Sequence, residues 1–185
     1  MRAKVTEQQY LQIFKELIRN NYQNDKYYAV ISYPACIHES RLHDYNEQYA
    51  NEHDITILHS NRAGGTIVAF QGDIDFFYVQ DKNKVPEILN ILCNYLRSKG
   101  INAYWDPNNE NIGHDIVIDG IYKVATFTNT ICEKNVFTAG HISMHVNLEL
   151  IKHICTKPMK KTPRGLDEYG ITTEEVENLF KQYYE

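Results

Sequence analysis

Three consecutive segments near the middle of the chain read as β-strands joined by tight turns, and they restrict the fold more than any other feature. Residues 115–118, 121–131 and 136–146 are rich in β-branched and aromatic side chains. Asp119 and Gly120 separate the first two segments, and an Asp-Gly pair between such runs is a strong signal for a hairpin. Because a hairpin joins antiparallel neighbours, these segments predict a largely antiparallel sheet.

Further strands and several helices are predicted around these segments. The additional strands are residues 27–33, 54–59, 66–70, 74–79 and 101–105. The helices are residues 6–20, 84–98, 148–154 and 172–183. Thr6 with Gln9, and Thr172 with Glu175, have the spacing of capping boxes at the first and last helices. Together these elements predict an α+β domain, a mixed, largely antiparallel sheet flanked by helices that pack on one face.

Two of these regions differ sharply in polarity. In residues 74–79, large apolar side chains fall on both alternating faces, so both faces of that strand are predicted to be covered. Residues 35–52 are polar and charged, and we predict a solvated loop with a short helix at 44–50. The histidines of this loop lack the regular spacing of metal ligands.

The composition is that of an ordinary globular domain and excludes several function classes. The 185 residues are 43% hydrophobic and 23% charged, which suits one domain with a sizeable core. The net charge of −5 provides no basic field for a nucleic-acid backbone, so we expect no nucleic-acid partner. No apolar run reaches the length of a membrane span, so we expect no membrane partner. The four cysteines lie far apart, which favours reduced thiols and a cytoplasmic location.

The first candidate site is a turn that contains Arg62, Gly64 and Gly65, between two predicted strands. Adjacent glycines let a backbone come close to a ligand, because no Cβ stands in the way. An arginine beside such a turn offers a planar fork for a carboxylate or phosphate. The alternative interpretation is a plain hairpin turn with a solvated arginine.

The second candidate is Lys123, which lies three residues after Gly120 among apolar neighbours in a predicted strand. Burying an unpaired ammonium is costly, so this lysine is expected to face a polar cavity or an anionic partner. An exposed strand face, with the ammonium extended into water, is the alternative.

Together these features resemble the lipoate-protein ligases and octanoyltransferases. The resemblance is carried by Arg-x-Gly-Gly after a strand, and by Asp-hydrophobic-x-hydrophobic-Asp-Gly-x-x-Lys at residues 115–123. It continues in a strand with a histidine, followed by Asn-Leu-Glu-Leu at 147–150, and spans about residues 27–185. It implies a single catalytic domain over 1–185, related to the biotin-ligase catalytic domain, without the C-terminal accessory domain of many such ligases.

The resemblance also implies an activity. Such a ligase uses ATP and Mg²⁺ to activate lipoate, or a medium-chain fatty acid, as an acyl-adenylate, and then transfers the acyl group to a lysine of a lipoyl domain. Lys123 would be the catalytic lysine that contacts the acyl carbonyl and the phosphate, a role that suits a fixed cation. Gly64 and Gly65, with Thr66 where the family has a third glycine, would cover the acyl chain. Arg62 would lie near the phosphate or adenosine.

The remaining residues implied by the resemblance lie on the predicted hairpin strands. Asp115 would match the aspartate of the family's Asn-Asp pair, near the nucleotide or its magnesium, and His114 stands in place of the asparagine. His141 matches a histidine that opens the family's last strand, and we count it among the residues that bind substrate or nucleotide. Phe70 and its successor replace a His-Asp pair of the family.

Two alternative functions remain open at this stage. An octanoyltransferase would move octanoate from acyl carrier protein through a cysteine nucleophile. Cys155 lies close to the position of that cysteine, without its Pro-Cys-Gly context. The second alternative is a catalytically inactive relative that binds a ligand or partner. For the ligase, the expected partners are a lipoyl-domain acceptor, lipoic or octanoic acid, and a separate accessory subunit.

Overall fold

The chain forms two β-sheets and five α-helices in the residues that the computed structural model describes, which are 4–20, 26–62, 64–81, 87–105, 114–132 and 135–184. The helices are Glu7–Asn20 (α1), Glu47–Glu52 (α2), Glu87–Ser98 (α3), Leu148–Ile154 (α4) and Thr173–Tyr184 (α5). Within this part of the chain, no helix combines the length and the apolar character needed to cross a membrane.

Ten strands lie in the same described residues. They are Lys26–Val30 (β1), Ala35–Ser40 (β2), Thr56–Arg62 (β3), Ile67–Phe70 (β4), Ile74–Asp81 (β5), Ala103–Tyr104 (β6), Asp115–Ile118 (β7), Tyr122–Cys132 (β8), Asn135–Ile142 (β9) and Thr162–Pro163 (β10).

The larger sheet has the strand order β1-β5-β9-β8-β7-β6, and all of these neighbours are antiparallel. The short strand β10 adds a parallel pairing to the start of β8. The smaller sheet has the order β3-β2-β4, in which β2 is parallel to β3 and antiparallel to β4. These pairings confirm the predicted α+β fold with a mixed, largely antiparallel sheet.

The prediction of a solvated loop over residues 35–52 is wrong in its first part, because Ala35–Ser40 is the central strand of the smaller sheet. Its polar side chains are buried, but they have partners within the protein. His38 lies beside a carboxylate of β5, and Glu39 contacts two histidines and a tyrosine. A buried polar side chain is tolerated when its hydrogen-bonding groups are satisfied, so polarity alone did not reveal this strand.

Both faces of β5 are covered, as predicted, but the helices do not all pack on one face. Phe76 and Tyr78 lie in a core with the apolar residues of α3 and α5. Phe77 and Val79, on the opposite face, pack with Tyr10 of α1. The expectation of helices on one face is therefore wrong, since a strand that is apolar on both sides needs a layer on each.

The smaller sheet interrupts the larger one in sequence. Strands β1 and β5 are neighbours in the larger sheet, yet β2, α2, β3 and β4 all lie between them in the chain. Helices α2 and α4 pack on the smaller sheet through a separate apolar cluster that includes Ile37, Ala50 and Ile151. This arrangement brings the start of β4 and the turn before it against β8 and β9 of the larger sheet.

Candidate active site

Two adjoining cavities lie where the smaller sheet meets β8 and β9 of the larger sheet. Both are lined by Thr66, Ile67, Lys123 and Thr126. The first, here the apolar cavity, measures about 90 Å³ and continues toward α4. The second, here the glycine cavity, measures about 120 Å³ and reaches the turn at Gly64.

Lys123 lies at the junction of the two cavities, near the start of β8. The residue is half-buried, and its carbonyl oxygen accepts a hydrogen bond from the backbone N–H of Arg164 at 2.9 Å. No carboxylate of the described residues forms an ion pair with its ammonium. Of the two sequence interpretations, the structure agrees with the one in which Lys123 faces a cavity, and no carboxylate of the described residues partners it there.

The glycine turn faces the same lysine across the glycine cavity. Gly64 adopts a φ of +98°, a conformation that favours glycine, and a Cβ there would lie 3.4 Å from Thr128 of β8. Gly64, Gly65 and Lys123 line one cavity, so the structure brings together the two features that the sequence singled out.

Asp44 anchors the glycine turn, and sequence reasoning missed it. Its Oδ1 accepts hydrogen bonds from the backbone N–H of Thr66 at 2.9 Å and from the Thr66 hydroxyl at 2.6 Å. Ser40 Oγ donates to the same oxygen at 3.0 Å. Burial acts to raise the pKa of Asp44, but the hydrogen bonds from Thr66 and Ser40 outweigh it and lower that pKa. The carboxylate is thus held charged where it fixes the turn.

Two of the implied nucleotide residues, His114 and Asp115, are not among the residues that line the two cavities. The His114 ring packs edge-on against Phe127, with ring centroids 5.2 Å apart. Asp115 Oδ2 accepts a hydrogen bond from Lys161 Nζ at 2.7 Å. Arg62 ends β3, but its side chain lies outside the described residues.

The residues present do not fit a magnesium ion held by the protein. In the described part of the chain, no group of three histidine, cysteine or carboxylate side chains could hold a metal. The carboxylate of Asp115, the implied magnesium residue, is occupied by Lys161. We therefore derive no step through a protein-bound magnesium ion.

His141 lines the apolar cavity, but its ring nitrogens face the protein. Nδ1 lies 2.9 Å from Asp75 Oδ1 in a hydrogen bond. Nε2 lies 3.2 Å from Asp73 Oδ2, an ion-pair distance without hydrogen-bond alignment. Burial lowers the pKa of His141, but the carboxylates of Asp73 and Asp75 outweigh it and raise the pKa to about 9. The ring is therefore an imidazolium at neutral pH, and its part in substrate binding stays a prediction.

Cys155 follows α4 and lines the apolar cavity together with Lys123. Burial and the charge of Asp44 raise the pKa of this thiol, while the charge of Lys123 lowers it by a smaller amount. A raised pKa keeps the sulfur protonated, which weakens it as a nucleophile.

A segment at residues 156–165, here the strap, closes one side of the apolar cavity. Met159 and Pro163 of the strap line that cavity, and Pro163 pairs with Lys123 through β10. The ion pair between Lys161 and Asp115 holds the middle of the strap. Sequence reasoning gave this segment no part in the site.

The relationship to known proteins agrees with this geometry. Residues 22–184 match the family model of the lipoyl protein ligase A/B catalytic domain. The chain belongs to this family. The match covers most of the chain, including both sheets and all the residues that line the two cavities. Comparison with curated proteins finds no match.

Solved structures with a similar fold include proteins described as lipoate-protein ligases. A lipoate-protein ligase A bound with ATP has a TM-score of 0.73 at 15% identity, covering 97% of this chain and 80% of that one. A protein of T. acidophilum with bound lipoic acid has a TM-score of 0.72 at 14% identity, covering 97% and 80%. A bi-partite lipoate protein ligase of Thermoplasma acidophilum, described with its E2 lipoyl domain, has a TM-score of 0.71 at 14% identity, covering 97% and 78%. At these identities the likeness establishes the fold.

Proposed function

We propose that this member of the family is a lipoate-protein-ligase-like enzyme. It activates lipoate or a medium-chain fatty acid with ATP as an acyl-adenylate, and it transfers the acyl group to a lysine of a lipoyl domain. The observation that carries the proposal is the position of Lys123. Its ammonium lies between an apolar cavity and a glycine turn, and no carboxylate of the described residues neutralises it.

The two cavities differ in the ligand chemistry that they suit. Val146, Ile151 and Met159 give the apolar cavity a wall that suits an acyl chain. At its inner end Lys123 would meet the carboxylate of the acid, and the glycine turn would let a phosphate come close to the backbone. The structural neighbours that contain ATP and lipoic acid support this pair of ligands.

The proposed reaction has two steps, and Lys123 acts in both. First, a carboxylate oxygen of the acid attacks the α-phosphorus of ATP, and pyrophosphate leaves. Next, the neutral amine of the acceptor lysine attacks the acyl carbon, AMP leaves, and the amine loses a proton. Negative charge develops on the phosphate and then on the acyl oxygen, and a fixed ammonium at that point stabilises it.

The acceptor and any second subunit are part of the proposal. The archaeal neighbour is a two-part ligase described with its E2 lipoyl domain, which supports a lipoyl domain as the acceptor here. A separate accessory subunit would be supplied as a second component in the assay, because that neighbour is bi-partite.

Mass spectrometry of a lipoyl domain tests the proposal directly. We expect acylation with wild-type protein, lipoate, ATP and Mg²⁺. Lys123→Ala should remain folded and reduce the rate by about 10²–10³, the usual effect of removing a preorganised electrostatic donor. Lys152→Ala is a matched control, because that lysine is exposed on α4 and forms an ion pair with the neighbouring Glu149. An unchanged rate in Lys123→Ala would show that the active site is assigned wrongly.

One observation supports an octanoyltransferase as the second candidate, namely that Cys155 and Lys123 line the same cavity. In that reaction the Cys155 thiolate attacks the octanoyl thioester and the thiol of the carrier protein leaves. The neutral amine of the acceptor lysine then attacks the acyl-cysteine, the Cys155 thiol leaves, and the amine loses a proton. Cys155→Ala should abolish transfer from octanoyl carrier protein if this candidate is right, and should change ATP-dependent acylation little if the ligase is right. No product under either condition, with several acceptor domains, would favour an inactive relative.

A further inference from the structure

The most unusual group of buried side chains in the molecule lies behind the apolar cavity. Asp73, Asp75, His38 and His141 are each at most 2% exposed. His38 Nε2 lies 3.3 Å from Asp75 Oδ2, and the rings of His38 and His141 are 6.4 Å apart. Burying four ionisable groups is costly unless they neutralise one another, so this cluster needs a reason to exist.

The cluster connects the two sheets. Asp75 of β5 reaches His141 of β9 in the larger sheet and His38 of β2 in the smaller sheet. These two contacts make Asp75 a charged link between strands that belong to different sheets.

Asp73 supplies a second link between the sheets. Its Oδ2 accepts a hydrogen bond at 2.8 Å from the backbone N–H of Phe70, at the end of β4. Its Oδ1 accepts from the backbone N–H groups of Met144 at 2.6 Å and His145 at 3.1 Å, just after β9. Both cavities lie between these same two sheets.

We infer that His141 is a positioning residue that, through Asp73 and Asp75, sets the separation of the two sheets and thereby the distance between Lys123 and the glycine turn. The inference rests on the proposed function only for its effect on catalysis. Lys123 belongs to the larger sheet and the turn leads into β4 of the smaller sheet. Across the larger sheet, Asp75, His141 and Thr126 are directly paired, and Thr126 lines both cavities.

The geometry is poorly suited to direct binding of substrate by the His141 ring. Both ring nitrogens are already within 3.2 Å of a carboxylate oxygen. The Nδ1 position is hydrogen-bonded to Asp75, and Nε2 lies at an ion-pair distance from Asp73, so carboxylates of the protein already surround the ring. The groups that face the ring are Asp73 and Asp75, with His38 and Cys36 beyond them on β2.

The protonation state of His141 tests the first part of the inference without any assay of activity. Nitrogen-15 NMR of labelled wild-type protein at pH 7.5 should show a signal from a histidine with both nitrogens protonated that disappears in His141→Gln. A neutral His141 at that pH would overturn the inference, because the two carboxylates would then lack their cation.

Alkylation of Cys155 measures the cavity independently of catalysis, since this thiol lines it. We expect His141→Gln to be alkylated at Cys155 at least about threefold faster than wild type at one fixed pH, because Asp75 loses the cation that holds its carboxylate beside His38 of the smaller sheet. In the double variant His141→Gln/Asp75→Asn, the rate of Cys155 alkylation should return to within about threefold of the wild-type rate. This variant removes one buried negative charge, and Asp73 keeps its backbone donors. His145→Gln is the control, an exposed histidine paired with a single aspartate.

The acylation assay completes the test. His141→Gln should lower kcat by about tenfold or more with a smaller change in KM, because misplacement of catalytic groups by about 1 Å is enough for a large loss. The double variant should recover most of kcat. If His141→Gln does not fold, recovery of both folding and kcat in the double variant supports the inference, and failure to recover overturns it.

Two results separate the inference from the proposed function. Wild-type protein without any acylation, but with the expected NMR and alkylation results, would reject the ligase and keep the sheet-positioning cluster. A His141→Gln protein that is less stable, yet has unchanged Cys155 alkylation and unchanged kcat, would give His141 a purely structural role and overturn the inference.

Discussion

The two glycines of the turn have different requirements, although they are adjacent. Gly64 has a φ of +98°, which a residue with a Cβ rarely adopts, whereas Gly65 is not in the positive-φ region. A Cβ on Gly65 would meet only Asp44 Oδ2, at an ordinary contact distance of 3.4 Å. Backbone conformation, and not lack of space, therefore decides which glycine is essential.

Alanine at each position should separate these effects. We expect Gly64→Ala to lower the free energy of unfolding by about 1–2 kcal/mol, because it places an alanine at positive φ. Gly65→Ala should change it by less than about 0.5 kcal/mol. Urea unfolding of both variants measures the difference, and equal losses would contradict the argument from backbone conformation.

Individual residues also show what the sequence could and could not predict. An apolar context around an ammonium has few physical solutions, so the sequence restricted Lys123 to a polar cavity, an anionic partner or an exposed strand face. Asp44 and Asp73 offered no such signal, because each looks like an ordinary solvated aspartate in sequence. Their partners are far away in the chain; Asp73 bonds Met144, 71 residues on. Contacts of this kind form only in the folded chain, so the residues next to an aspartate in the sequence do not predict them.

At the level of elements, the strap is held by contacts that can be removed singly. Lys161 Nζ lies 2.7 Å from Asp115 Oδ2, and the two side chains are only 16% and 17% exposed. The guanidinium of Arg164 stacks on Tyr122 at 3.5 Å and fixes the end of the strap. Loss of the Lys161 contact should therefore loosen the middle of the strap while its end remains in place.

Lys161→Met tests the role of the strap. We expect weaker binding of the acyl acid, by about fivefold to tenfold, because Met159 and Pro163 form part of the cavity wall. Isothermal titration with lipoate measures this change. Lys160→Met is the control, since Lys160 is the exposed neighbour in the strap. Equal affinities for the two variants would mean that the ion pair does not shape the cavity.

Elements were predictable where their local chemistry is strong. The turn at Asp119 and Gly120 has the expected positive φ angles of 53° and 72°, and β7 has its predicted bounds. The capping box of Thr172 and Glu175 also forms, with hydrogen bonds in both directions. Strand β2 was missed because its polar side chains are buried beside groups that the local pattern does not reveal, such as Asp75 for His38 and His59 for Glu39. The prediction that the helices pack on one face was wrong, because the sequence of a covered strand does not show which element covers each of its faces.

For the whole molecule, the buried cluster makes stability depend on pH in the alkaline range. The folded-state pKa of His141 is raised to about 9 from the ordinary value of 6.5. A raised pKa means that the stabilising contribution is complete below about pH 6.5 and is lost as the pH rises through about 9. In the acid range, stability depends on pH in the opposite direction. The pKa of Asp44 is lowered in the folded protein, so its stabilising contribution is lost as the pH falls through that pKa.

Urea unfolding at several pH values tests this dependence. Wild-type protein should lose on the order of 3 kcal/mol of unfolding free energy between pH 6.5 and pH 9. The double variant His141→Gln/Asp75→Asn should be nearly flat over the same range. A wild-type curve as flat as that of the double variant would contradict the assignment of the alkaline loss to this cluster.

The insertion of the smaller sheet between β1 and β5 has a consequence for the order of folding. Strands β8 and β9 are consecutive and pair up to Cys132 and Asn135, so closing their hairpin costs little chain entropy. Pairing Val30 with Ile74 closes a loop that contains the whole smaller sheet, which costs more and should occur later. Pulse-labelled hydrogen exchange should therefore protect the amides of β8 and β9 before those of β1. Until β1 arrives, β5 has an open edge, and this is the stage at which a refolding chain would be most prone to aggregate.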